Sequence, residues 1–196
     1  MPFDSSDVVV KQVDDVNWDT MAALAYDGKI DHWTVPVNSP TDFASVPRVF
    51  VWFLPRYGRY TKAAILHDYL WRTQAKTGKM SWIDADGLFR RAMREQDVPF
   101  LRRWMMWAAV RWAALLKPGG TKGWWRESWR VLLVTVIAAP FVLPPALVIF
   151  LWLMLFWLFE AIVWVPLKLA SLIKARGKKV PPSKQVNAPS LDLKMS

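Results

Sequence analysis

The sequence predicts an α+β fold: a small N-terminal β-hairpin or sheet packed with about three helices, followed by a C-terminal membrane helix or re-entrant helical hairpin. Three observations carry this. β-patterned runs broken by Asp-Gly and Pro fill the chain up to Pro40. Apolar residues at helical spacing recur between Thr61 and Leu116. From Val131 to Leu167 the only ionisable residue is Glu160. Residues 1–118 therefore read as a soluble domain and 119–130 as a Trp- and Arg-rich juxtamembrane linker. Residues 131–173 read as a membrane-embedded segment and 174–196 as a basic, disordered tail.

Val8–Val10 and Val13 suggest a short strand. Met21–Tyr26 and Lys29–Val37 flank Asp27-Gly28, a favoured pair for a two-residue hairpin turn with positive φ. Thr41–Pro47 (TDFASVP) is a loop or helix start, Val49–Leu54 is apolar, and Pro55–Tyr60 is a turn. A helix follows from Thr61, its expected cap, to about Thr73, with Ala63, Ala64, Leu66, His67, Leu70 and Trp71 at helical spacing. The next helix starts at Ser81, which stands in a capping-box relation to Asp84, and carries Leu88, Phe89, Ala92 and Met93 on its apolar face. Asp97-Val98-Pro99 breaks it. Leu101–Leu116 is a third helix, and Pro118-Gly119-Gly120 closes the domain.

A bilayer crossing needs about 20 apolar helical residues. Ala146–Val165 meets this alone; Val131–Leu143 is too short and runs into Pro144-Pro145. Either Ala146–Val165 spans, with the earlier stretch interfacial or kinked onto it, or both form a hairpin around Pro140, Pro144 and Pro145. Basic residues lie on both flanks (Lys117, Lys122, Arg126 and Arg130; Lys168, Lys174, Arg176, Lys178 and Lys179), which favours cytoplasmic ends and re-entry. Trp124, Trp125, Trp129 and Trp164 fit an aromatic belt. Glu160 either faces a partner helix, as in a homo-oligomer, or sits close enough to the interface to reach water.

The net charge of +10 calls for an anionic partner. The 14 Trp and 10 Phe against 4 Tyr point to anionic lipid headgroups. Nucleic acid is a poorer fit: Leu101–Leu116 mixes Arg with Trp and Leu and lies beside an apolar segment, so it reads as an interfacial amphipathic helix. The absence of Cys excludes disulfides and thiolate metal sites. Met1–Asp15 is acidic and mixed, without the apolar core of a signal peptide, so the domain is expected to stay cytoplasmic.

The candidate chemistry centres on His67 and Asp68. Adjacent helical side chains point about 100° apart. They serve one site from two sides, His67 as a base and Asp68 as a cation ligand. Asp86 shares a face with Phe89 and Met93, so it points inward and is placed to fix the His67 tautomer. Asp42 is a further candidate oxygen ligand for a metal. A structural reading covers the same residues. His67 then hydrogen-bonds within a small core with Asp68 solvated, and Asp42 and Ser45 make local turn and cap bonds. Ser45 lacks the surroundings of a nucleophile.

Across Leu66–Glu95, LHDYLWR followed by Asp86 resembles the site of the secreted phospholipases A2. That resemblance implies a catalytic His67 oriented by Asp86, Asp68 as calcium ligand, and calcium as the cofactor; the chain departs in having no cysteines and no Gly-rich calcium loop. Over a wider span, roughly Gly28–Leu116, VPVNSPTDFASVPR, RYTKAAILHDYLWR, ADGLFRRAM and RRWMMWAAVR resemble, in order, a family of short bacteriophage and prophage proteins. These share a domain of unknown function (number thirteen fifty-three). This implies a viral or prophage origin and a place in the host inner membrane or virion, beside other phage proteins. It implies no mechanism. Two functions remain: a membrane-bound phage hydrolase of an envelope component, or a non-catalytic membrane or virion protein acting in entry, lysis or superinfection exclusion.

Overall fold

The computed structural model describes residues 2–4, 7–44, 46–175 and 187–191. Ser45 and most of the tail expected from residue 174 onwards lie outside the described residues.

Among the described residues, five short strands make two small sheets. β1 (Val10–Gln12), β2 (Trp18–Thr20) and β5 (Pro40–Thr41) form an antiparallel sheet in the order β1-β2-β5. β3 (Leu24–Asp27) and β4 (His32–Val35) form a hairpin with Leu24 opposite Val35 and Asp27 opposite His32. Inward residues alternate along β3, where Leu24 and Tyr26 are buried.

The hairpin turn differs from the expected two-residue form. Gly28–Asp31 is a four-residue loop in which Gly28 N–H donates to Asp31 O at 3.0 Å. Gly28 is not among the positive-φ residues. It is required for space instead, because a Cβ there would lie 2.4 Å from the Tyr26 hydroxyl. The expected strand at Val8–Val10 also shifts, starting only at Val10.

Both sheets pack on α1 (Thr61–Tyr69), which runs into a π-helical segment, Leu70–Ala75. Thr61 does not cap α1; its hydroxyl closes the preceding turn by donating to Gly58 O at 2.8 Å. α2 (Trp82–Glu95) starts as expected: Ser81 Oγ accepts from Asp84 N–H at 3.1 Å and donates to the Asp84 carboxylate at 2.5 Å. It stops where Asp97 takes φ 56° and Val98 N–H reaches back to Met93 O at 3.0 Å. α3 (Phe100–Ala114) is a core helix as well as an apolar surface. Trp107, Ala108, Arg111 and Ala114 are buried while Phe100 and Leu101 are exposed.

α4 (Ser128–Ala175) is a single helix of 48 residues. Of the two forms expected, the chain adopts the continuous helix, and the hairpin around Pro140, Pro144 and Pro145 is not formed. All three prolines lie inside the helix, as does Pro166. Each interior proline removes one i→i−4 hydrogen bond and crowds the carbonyl four residues back, at a cost of about 3 kcal/mol, and the helix continues through all four. The segment between Pro140 and Pro145 offers no Gly or polar residue to make a turn.

The start of α4 is built into the domain. Trp124 and Val131 are buried with Trp107 and Ala108 in a second small core. Gly123 makes this approach possible: it takes φ 71°, and a Cβ there would lie 2.3 Å from Ile83 Cδ1.

Candidate functional site

The two inward carboxylates sit in adjoining but different environments. Asp86 is fully buried on α2, as the Phe89 and Met93 spacing required, and accepts three hydrogen bonds. His67 Nε2 lies 2.7 Å from Oδ1, Trp71 Nε1–H donates to the same oxygen at 2.7 Å, and Arg111 Nη1–H donates to Oδ2 at 2.9 Å. The carboxylate thus ties α1, the π-helical segment, α2 and α3 together. Arg111 is itself fully buried, its Nε is 3.9 Å from Glu127 Oε2, and its backbone carbonyl accepts from Trp124 Nε1–H at 2.8 Å. The hub therefore reaches the segment that leads directly into α4.

His67 is nearly covered, with 12 % of its side chain exposed. Phe89 lies beside its ring at 4.8 Å between centroids and Trp71 at 6.2 Å. With Nε2–H donated to Asp86, the free lone pair is on Nδ1, so the tautomer is the one that leaves a base on the far side of the ring.

Asp68, one residue on, faces the other way. Its Oδ2 accepts from the Thr41 hydroxyl at 2.5 Å and from Asp42 N–H at 3.1 Å. Phe43 N–H donates to Thr41 Oγ1 at 3.0 Å, and Phe43 holds φ 57°, an unfavourable backbone for an aromatic residue. The Asp42 carboxylate pairs with Arg72 Nη2 at 2.6 Å. Burial, reinforced by the Asp42 charge, pushes the Asp68 carboxyl up to about 7, against the opposing pull of Arg72, Thr41 and His67.

The expected pairing of His67 with Asp86 and the approach of Asp42 to Asp68 are both present. The calcium expected from the phospholipase resemblance does not fit the donors. Oδ2 of Asp68 already accepts from Thr41 and from Asp42 N–H, which leaves this carboxylate one oxygen to offer a cation. Arg72 already supplies the positive charge on Asp42, and among the described residues no group of three or more His, Asp or Glu stands where a metal could be held. Sequence reasoning missed Trp71, Thr41, Arg72 and Arg111. Arg111 left a trace: it falls on the same helical face as Trp107, Ala108 and Ala114, an inward-facing cation among apolar residues.

Comparison with known proteins places the same region. An 81-residue stretch covering 40 % of the chain is 35 % identical to "Uncharacterized protein y4jT" of Sinorhizobium fredii, and the chain spans only 23 % of that protein's length. No solved structure matches. Residues 18–110, which hold His67, Asp68, Asp42 and Asp86, match the family described as "Protein of unknown function (DUF1353)".

Proposed function

We propose that this chain is a membrane-anchored protein of bacteriophage or prophage origin. Its N-terminal domain works at the cytoplasmic face of the host inner membrane as a metal-independent hydrolase of an envelope ester. The observation that carries the anchoring is α4. Among the described residues it is the helix long and apolar enough to cross a membrane, and its apolar side chains point outward. Phe141, Trp152, Phe156 and Phe159 are 75 %, 67 %, 61 % and 62 % exposed. Water would make such a surface costly and hydrocarbon would not. Exposed Trp125 and Trp129, with Arg130 over the Trp129 ring at 5.1 Å, give the approach to α4 a basic, aromatic surface that suits an anionic lipid partner.

The His67–Asp86 pair supports the hydrolytic step. His67 Nδ1 takes a proton from water as the water oxygen adds to the ester carbonyl. The imidazolium, held by the Asp86 carboxylate, then returns that proton to the departing alkoxide, leaving acid and alcohol. Anchoring concentrates a lipid substrate beside the base.

A second reading rests on one observation. Asp86 also neutralises a buried arginine and bonds Trp71, so the hub has a structural task that needs no substrate. In that reading the domain docks another phage protein and His67 is an ordinary core histidine.

Two measurements test these readings. On alkaline carbonate extraction of expressing cells, the protein is expected to stay with the membrane pellet; release with peripheral proteins would refute the anchor. Purified full-length protein in mixed phospholipid vesicles is then assayed for fatty-acid release. Loss of release in a folded His67→Gln variant supports the hydrolase. Equal background from both proteins leaves the docking reading.

A further inference from the structure

A groove runs along the inner face of α4, between that helix, α3 and the 3-10 turn at Arg48–Phe50. It encloses about 250 Å³. Phe50 and Phe53 line one wall, Met105 and Ala109 a second, and Ala138 and Val142 the α4 side. Leu143 also borders a second hollow that continues along α4 past Leu147 to Phe150. The groove thus leads from the domain into the stretch expected to span the bilayer.

Its chemistry is one-sided. The hydroxyl lining it, that of Thr135, is already committed: it donates to Val131 O at 2.8 Å and accepts from Trp112 Nε1–H at 3.0 Å. No lining group carries a charge. A polar or ionic ligand would be desolvated there without repayment, whereas an alkyl chain would lose nothing. The opposite face of the same α4 turns is also apolar and exposed, with Leu133, Ile137 and Phe141 half or more uncovered. With α4 in a bilayer, as proposed above, its outer face meets hydrocarbon, and the chain available to enter the groove from hydrocarbon is an acyl chain.

We infer that this groove holds an acyl chain of a bilayer phospholipid, which enters along α4 from its Phe150 end and seats the domain on the membrane. This rests on the membrane reading of α4 and does not require the hydrolase.

The test reconstitutes full-length protein in phosphatidylethanolamine and phosphatidylglycerol vesicles containing a phosphatidylcholine with a photoactivatable diazirine on one acyl chain. Illumination is followed by peptide mapping. Label is expected on Phe50, Phe53 or Met105, which face the groove, as well as on the outward residues around Leu155. Ala109→Trp, which fills the groove from an exposed position, is expected to abolish the first set and leave the second. Label around Leu155 with none in the groove, or groove label that Ala109→Trp leaves intact, overturns the lipid site while sparing the anchor. No label on any part of α4 overturns both.

Discussion

The hub around Asp86 and the helix α4 solve opposite problems with the same chain. At the hub, charge is brought inside and every oxygen of the carboxylate is given a donor. Along α4, apolar surface is left outside, with Ile162 62 % and Ile173 72 % exposed. A buried ion pair gives little net stability against an apolar replacement, yet losing one partner is severe. An exposed apolar helix is unfavourable in water and neutral in lipid. The first region therefore reports on the fold and the second on the surroundings. Glu127 and Trp124 join the two, since both touch Arg111 at the point where α4 begins.

The comparison breaks most sharply at Asp86. Asp86→Ala strands the Arg111 charge and leaves Trp71 and His67 without their acceptor. A loss of about 3–5 kcal/mol is expected, read as a lowered denaturant midpoint in detergent; a loss below about 1 kcal/mol would mean that the hub is not a shared brace.

α4 should respond in the opposite sense. Leu155→Lys puts a cation in the expected span at a cost to insertion of about 2.5–3.5 kcal/mol. The domain's melting should be unchanged while the fraction extracted by carbonate rises. Melting that falls with no change in extraction would assign this stretch of α4 to the soluble fold.

Asp68 gives a pH signature that the hub does not share. Its folded carboxyl keeps its proton up to about 7, whereas the ordinary value is 3.8. The folded state binds more protons between those values, so stability declines as pH rises through that window. Asp68→Asn is expected to flatten the decline, followed by urea midpoints across the window; an equal slope in both proteins would show that Asp68 is not held in this way. The smallest effect is expected at Ser81. Ser81→Ala removes the α2 cap and should cost about 1 kcal/mol with no change in membrane partition.

The sequence made some of this legible for identifiable reasons. The inward position of Asp86 followed from helical spacing with Phe89 and Met93, and the α2 start from Ser81 and Asp84. Both are local signals, read within one or two turns. β2 and β5 were missed because strands of two or three residues carry too little alternation to register. The π-helical segment Leu70–Ala75, which presents Trp71 to Asp86, has no composition of its own. Thr41 meets Asp68 across 27 residues and Arg111 meets Asp86 across 25, separations that no periodicity reports. The Asp27-Gly28 pair marked a turn in the right place for the wrong reason: the glycine admits the Tyr26 ring and does not supply a positive φ.

The placement of α4 in lipid is tested most directly by single-cysteine accessibility, which the absence of native cysteine makes clean. In sealed inner-membrane vesicles with the cytoplasmic face outward, a water-soluble maleimide should modify Lys76→Cys readily and leave Leu155→Cys unmodified until detergent is added. Modification of Leu155→Cys at the rate of Lys76→Cys, before detergent, would contradict a membrane-embedded α4.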